Sequence, residues 1–347
     1  MNANRVKLED VARFSGVSLT SASMGLADSP RVAEATKERV RAAAKQLGYV
    51  PHAAARSLRS QKADTVAVVV PHDTRHVFSH PYFTSLLEGI LLLANEEDVS
   101  VLLSTARTAA DEVSAYTRIV RGERASGVIV AAAATTDVNV ARLDQMGYPL
   151  VVVGRSPQHK GLVTVGLDDI GGAHAAVQHL IQVHGATRIG HVSGPLNHQS
   201  SLDKRDGYRV ALREAGLEAD PRLQFEGDHT EESGASAVHY LAPYLPDCDA
   251  IFFANDQMAI GAISELQSIG CRIPDDLLVV GYDDHPMLEY LHPSLTTIAG
   301  DTAELGIRAM RQLLELMNGH HDVSSVEIPT ELIVRESCGC KCPESAS

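Results

Sequence analysis

The chain has 347 residues, 44% of them hydrophobic and 4% aromatic, with no tryptophan and a formal net charge of −14. That length suits two or three packed units at about 100–200 residues each, and the apolar fraction argues against a disordered chain. Scarce aromatics argue against stacking platforms for single-stranded nucleic acid, and no apolar run approaches the ~20 residues that cross a bilayer.

The charge is unevenly placed. Residues 1–62 carry eleven Lys/Arg against five Asp/Glu, a net of +6, while the remainder carries −20. A basic head on an acidic body points to a head that meets a polyanion and a body that does not. The first ten residues are polar and hold no apolar stretch of signal-peptide type, so the expectation is a soluble, cytoplasmic protein without a membrane partner.

Val6 to Leu47 reads as three short helices. Leu8, Val11, Ala12 and Phe14 give the first an apolar face. Gly16 ends it, and Ser18 is a fitting N-cap for a second helix over Leu19–Leu26. A longer helix spans Ala33–Leu47, with Val40, Ala43, Ala44 and Leu47 inward and Gly48 as its stop. Helix, glycine-containing turn and second helix form a helix-turn-helix, whose second helix enters the major groove. The same pattern also reads as a small helical subdomain with a basic surface.

After Lys62 the composition changes to alternating strand and helix. Val66–Val70, closed by Pro71, is followed by apolar runs at Val99–Ser104, Gly127–Ala132 and Leu150–Gly154. Helical stretches such as Phe83–Glu97 and Glu112–Arg121 lie between them. A second set takes in Val163–Val165, Ile189–Val192, Ala250–Ala254 and Leu277–Gly281. Such alternation argues for parallel α/β units. His72, His76 and His80 recur every four residues, but Pro81 and the preceding loop argue against a metal-binding helix there.

Five cysteines are present, three of them crowded at the end as Cys338-Gly339-Cys340-Lys341-Cys342. Without a secretory signal, a disulfide framework is not expected. Cys-x-Cys-x-Cys lacks the paired Cys-x-x-Cys spacing of a structural zinc site, so the expectation is a loosely ordered, reduced tail with no metal and no cofactor. No Gly-x-Ser-x-Gly, His-Glu-x-x-His or P-loop is found, which argues against an enzyme.

The motifs taken together resemble the lactose-repressor and galactose-repressor family of bacterial transcription factors. The matching residues in the head are Leu8-x-Asp10-Val11-Ala12, Gly16-Val17-Ser18, Ser21-x-Ser23, Arg31-Val32, Thr36-x-x-Arg39-Val40, Leu47-Gly48-Tyr49-x-Pro51 and Ala55-Arg56-x-Leu58. The body adds Ala254-Asn255-Asp256-x-Met258-Ala259, Pro274-x-Asp276, Val280-Gly281-Tyr282-Asp283-Asp284, Leu295-Thr296-Thr297-Ile298 and Arg335-Glu336-Ser337. Each is weak alone; in this order they are strong, and they cover the chain from end to end.

The resemblance implies an all-α helix-turn-helix head plus hinge helix, followed by an α/β periplasmic-binding-protein-like body of two parallel-sheet subdomains. The expected bounds are 1–50 for the head, 51–62 for hinge helix and linker, 63–340 for the body and 341–347 for a tail. Within the body the N-subdomain is expected at about 63–162 and 293–325, and the C-subdomain at about 163–292 and 326–340, with crossings near Val163, Pro293 and Val326. DNA-binding positions then fall on Leu19, Thr20, Ser21, Ser23, Met24, His52, Ala55, Arg56 and Leu58. Leu58 would wedge between base pairs in the minor groove. Met24 stands where Arg is common and His52 where Asn is common, so phosphate contacts look intact while base readout looks apolar.

Effector positions fall on Tyr82, Phe83, Lys204, His229, Asn255 and Asp283. Phe83 also reads as core, Asn255 and Asp283 as helix caps, and His229 as a surface histidine. Ala131, Gly154, Lys204 and Gly300 replace polar residues found in sugar-binding members. The function implied is a ligand-responsive, sequence-specific repressor of carbohydrate-utilisation genes. It would act as a homodimer on a pseudo-palindromic operator, with a sugar or sugar derivative as small-molecule effector. The alternative is a regulator of the same family that answers to a non-sugar effector such as a nucleobase. With so few residues after Arg335-Glu336-Ser337, a tetramer-forming heptad helix is not expected.

Overall fold

The computed structural model describes residues 6–49, 65–108, 111, 113–120 and 125–340. The chain divides into two compact units, one ending at Asp64 and one beginning at Thr65.

The first unit holds α1 (Leu8–Ser15), α2 (Leu19–Leu26) and α3 (Glu34–Leu47). Gly16 and Gly48 end α1 and α3 in the left-handed conformation, at φ 67° and 66°. Ser18 caps α2 by accepting from the Ser21 N–H. Val11, Ala12, Ala22, Val40, Ala43 and Ala44 form a small core. Phe14, expected to point inward, is 54% exposed instead. Residues 50–64, with the hinge expectation and His52, Ala55, Arg56 and Leu58, lie outside the described residues.

The second unit runs β1 (Thr65–Asp73), α4 (Thr74–Ser79), α5 (Pro81–Glu96), β2 (Ser100–Ala106), α6 (Val113–Val120), β3 (Gly127–Ala131), α7 (Val138–Gln145), β4 (Leu150–Val153) and β5 (Val163–Leu167). It continues with α8 (Asp169–His184), β6 (Ile189–Ser193), α9 (Gln199–Glu214), β7 (Gln224–Glu226), α10 (Glu231–Leu241), β8 (Ala250–Phe253), α11 (Asp256–Ser268) and β9 (Leu278–Tyr282). Last come β10 (Thr296–Gly300), α12 (Thr302–Met317), β11 (Val326–Ile328) and β12 (Thr330–Ile333).

These strands form two sheets, ordered β11-β5-β4-β3-β1-β2 and β12-β10-β9-β8-β6-β7. Pairing is parallel except between β10 and β12. Val66 to Val70 are fully buried, as a central parallel strand covered on both faces requires. Pro71 does not end β1: the strand slips register between Val70 and Asp73 and continues.

The sheet order corrects the expected subdomain bounds. β5 and β11 belong to the first sheet, and β10 belongs to the second. The chain therefore crosses between the halves after Leu167, after Gly300 and after Ile328. Hydrophobicity reveals that a segment is a strand, not which sheet its edges join. α12 returns to the first half and packs on α5. There a Cβ on Gly89 would lie 1.8 Å from the Ala303 carbonyl oxygen, so only glycine permits this approach.

A second correction concerns residues 74–79, expected as loop. Asp73 Oδ1 accepts from the Arg75 and His76 N–H groups and starts a short helix, α4. Pro81 does not prevent it, because Pro81 is the first residue of the next helix, where its missing N–H costs nothing. The chain end departs from expectation as well: Cys338 is completely buried.

Candidate functional site

In open α/β sheets ligands bind beyond the carboxyl ends of the strands. Here a cleft of about 350 Å³ lies there, between the two halves of the second unit. Its lining includes Tyr82, Phe83, Lys204, His229, Asn255 and Asp283, all six of the effector positions named from the sequence.

Lys204, on α9, is the cleft's central cation and only 7% exposed. Its Nζ donates to the Ala254 carbonyl at 3.1 Å and sits 3.6 Å from the centre of the Tyr282 ring. Asp169 Oδ1 lies 3.7 Å away and Asp283 Oδ1 3.6 Å. Burial lifts the Asp169 carboxyl to about 6 against the pull of Lys204, with the Asp283 charge helping to raise it. Burial raises Asp283 too. Asp283 also stands at φ +107°, a conformation that L-residues avoid, and its N–H donates to the Ile298 carbonyl at 2.8 Å. Strain of this kind persists where surrounding structure holds it, and it concentrates at ligand sites.

Asn255 both caps and lines. Its Oδ1 accepts from the Met258 N–H at 3.1 Å and starts α11. Its Nδ2 donates to the His229 carbonyl and to His80 Nε2, each at 3.1 Å. Accepting at Nε2 leaves the proton of neutral His80 on Nδ1. His80 Nδ1 and His229 Nδ1 are buried with no hydrogen-bond partner among the described residues. His229, at φ +71°, rests against Gly194, where a Cβ would lie 2.0 Å from the imidazole.

The sequence reading missed most of the histidine wall. α4 stacks His72 on His76, with centroids 4.8 Å apart, and His72 on His198 at 5.4 Å. His80 follows at 5.8 Å from His76 and Phe83 at 5.8 Å from His80. Burial is the chief cause that lowers His72 to about 4 and His80 to about 3; the same cause lowers His76, His198 and His229. The wall is therefore neutral at pH 7. The four-residue spacing of His72, His76 and His80 was the available signal. Arg155 was missed as well. Arg155, on the loop after β4, forks onto buried Asp203 of α9, with Nε and Nη2 at 2.7 and 2.6 Å from its two oxygens. Asp168 caps α8, and Asp284 pairs with Arg335 at 2.7 Å.

In the first unit, α2 presents Leu19, 47% exposed, and Thr20 to solvent, with Met24 half-buried. Ser21 is half-buried and its hydroxyl lies 2.8 Å from that of Ser18. Ser23 is 6% exposed; α2 turns Ala22, Ser23 and Gly25 inward together.

Two family models match the chain. One, bacterial regulatory proteins of the lacI family, covers residues 7–52; the other, a periplasmic binding protein-like domain, covers residues 177–338. The HTH-type transcriptional regulator CelR of Thermobifida fusca is 34% identical over 339 residues, 96% of this chain and 98% of that one. The solved structure of a CelR–cellobiose complex matches with TM-score 0.74 and 33% identity, over 96% of this chain and all of the other (100%). The lac repressor dimer bound to operator and the anti-inducer ONPF matches with TM-score 0.85 and 25% identity, over 96% and 99%.

Proposed function

Since the chain belongs to the lacI family of bacterial regulatory proteins, and is thus a DNA-binding transcriptional repressor, we propose that a neutral sugar of mono- or disaccharide size is its effector. The observation that carries this reading is the composition of the cleft. Lys204 is already shared by two carboxylates, and Asp73 and Asp228 add negative charge to the lining. A phosphate or carboxylate ligand would meet net repulsion. Hydroxyl groups suit the same side chains: carboxylates accept, while the neutral imidazoles both donate and accept. Tyr82 and Phe83 supply apolar faces for sugar C–H groups. A volume of about 350 Å³ is at the small end of ligand sites, and the CelR structure holds cellobiose.

The protein acts as a homodimer on a pseudo-palindromic operator, read by α2 through Leu19, Thr20 and Met24, and performs no catalysis. It works in the cytoplasm; among the described residues no helix is long and apolar enough to cross a membrane. Effector and operator binding are coupled, so each changes the affinity for the other by the same factor. A thermal-shift comparison of neutral mono- and disaccharides, sugar phosphates and nucleobases on the full chain tests the effector class. A neutral sugar should raise the melting temperature with concentration, because it binds only the folded state. A rise confined to phosphates or nucleobases would refute the reading.

A further inference from the structure

Four side chains at the other end of α8 play no part in the cleft. His179 and His184 lie on its last turns, and Cys338 and Cys340 flank Gly339. At about 1.5 Å per residue, His184 stands about 22 Å along the helix from Asp169. One ligand atom from each of the four lies within 4.8 Å of all the others. His179 Nε2 is 3.4 Å from Cys338 Sγ and 3.7 Å from Cys340 Sγ, and His184 Nε2 is 3.3 Å from Cys340 Sγ.

We propose that His179, His184, Cys338 and Cys340 form a structural binding site for a thiophilic divalent cation in tetrahedral coordination, zinc above all. Zinc bonds of about 2.3 Å to sulfur and about 2.0–2.1 Å to nitrogen, directed to the corners of a tetrahedron, place neighbouring ligand atoms about 3.3–3.8 Å apart. The three sulfur–nitrogen separations fall in that range before any movement. Two thiolates with two imidazoles in this geometry select zinc among common divalent ions, since harder cations prefer oxygen. As the two metal–sulfur bonds form, the two thiol protons pass to solvent.

The surrounding structure holds the ligands in place. Gly185 ends α8 in the left-handed conformation directly after His184. Gly339, at φ +87°, turns the chain between the two cysteines. Ser337 anchors the segment, its hydroxyl donating to the Val279 carbonyl at 2.6 Å and accepting from the Thr296 N–H at 2.8 Å. Thr296 Oγ1 lies 3.2 Å from Cys338 Sγ, where it can donate to a metal-bound thiolate. Such a site joins residues 338–340 to α8 and stabilises the second unit without reaching the sugar.

The test uses the full chain, purified under reducing conditions and loaded with zinc, or with cobalt as a spectroscopic probe. About one zinc per chain should remain after desalting. The cobalt form should show the intense visible bands of a tetrahedral site and near-ultraviolet thiolate charge transfer. Cys340→Ser and His184→Gln, both at half-buried positions, should fold, weaken zinc binding by at least about 100-fold and lose the cobalt bands. Cys271→Ser and Cys342→Ser should keep both. Chelation should lower the melting temperature and leave sugar affinity unchanged. Absence of retained zinc would overturn the proposal, as would cobalt bands that survive in Cys340→Ser and His184→Gln or vanish in Cys342→Ser. A Cys338–Cys340 disulfide found by mass under the same reducing conditions would overturn it too.

Discussion

Arg155, which lines the cleft, and Asp203 join the two halves of the effector-binding unit. Arg155 follows β4 of the first sheet and Asp203 lies on α9 beside the second, and the guanidinium meets both carboxylate oxygens. Gln199 adds a third hydrogen bond to Asp203 at 2.8 Å. The Asn255–His80 bond and the Thr135 N–H to Asn197 carbonyl bond, at 3.1 and 2.7 Å, cross the same gap.

Arg155→Ala should therefore loosen the closed cleft. It leaves Asp203 buried with Gln199 as its remaining hydrogen-bond donor, which opposes closure around a ligand. Arg155 is partly exposed, so the expected loss is modest, about tenfold in sugar affinity, with operator binding in the absence of sugar retained. Calorimetry with the sugar found by thermal shift measures it. Unchanged affinity would mean that the pair does not contribute to closure.

Asp283→Asn should abolish the response to sugar while leaving operator binding intact. The substitution keeps the shape, and asparagine tolerates a positive φ, but it removes one of the two carboxylates that hold Lys204. Loss of DNA binding by a folded Asp283→Asn protein would show that the cleft and the operator surface are not separable.

Stability should fall on mild acidification, with the histidine wall as one cause. Unfolded His72 and His80 take protons near 6.5, whereas burial holds the folded groups at about 4 and about 3. Between about pH 7 and 4 the unfolded state thus binds protons that the folded state does not, and these groups cost stability as pH falls. Asp169 works in the opposite sense: lifted to about 6, it is protonated first in the folded state, so its contribution improves below that value. His80→Gln isolates one histidine. Its loss of melting temperature between about pH 7 and 5 should be smaller than that of the parent, and an equal or larger loss would contradict the assignment.

Met24→Arg should create a preference for guanine in each half-site, worth about 1–3 kcal/mol, because a thioether offers no N–H and a guanidinium offers two in parallel. Selection from a randomised half-site library, run on both proteins, reads this directly. A parent that already demands guanine opposite Met24, unchanged in the variant, would show that the side chain serves packing within the head.

Much of the architecture was legible in the sequence, for reasons that differ by element. Val66–Val70 is apolar at every position and β-branched at four of five, as a strand covered on both faces requires. Gly16, Ser18 and Gly48 mark helix ends through local backbone chemistry, which needs no tertiary information. What escaped depends on long-range pairing. β5 and β10 could not be assigned to sheets from their own residues. The histidine wall required α4, whose cap Asp73 and successor Pro81 look like loop when read apart. Arg155 and Asp203 are 48 residues apart, and the His179–Cys338 pair 159, so no spacing rule joins them.

The most direct test of sugar-controlled DNA binding is the operator affinity of the full chain measured with and without saturating sugar, on DNA selected by the protein itself. Coupling of the usual size would change the dissociation constant by about tenfold or more, and Asp283→Asn should remove the change. A sugar that demonstrably occupies the cleft yet leaves operator affinity the same in the parent protein would contradict the reading.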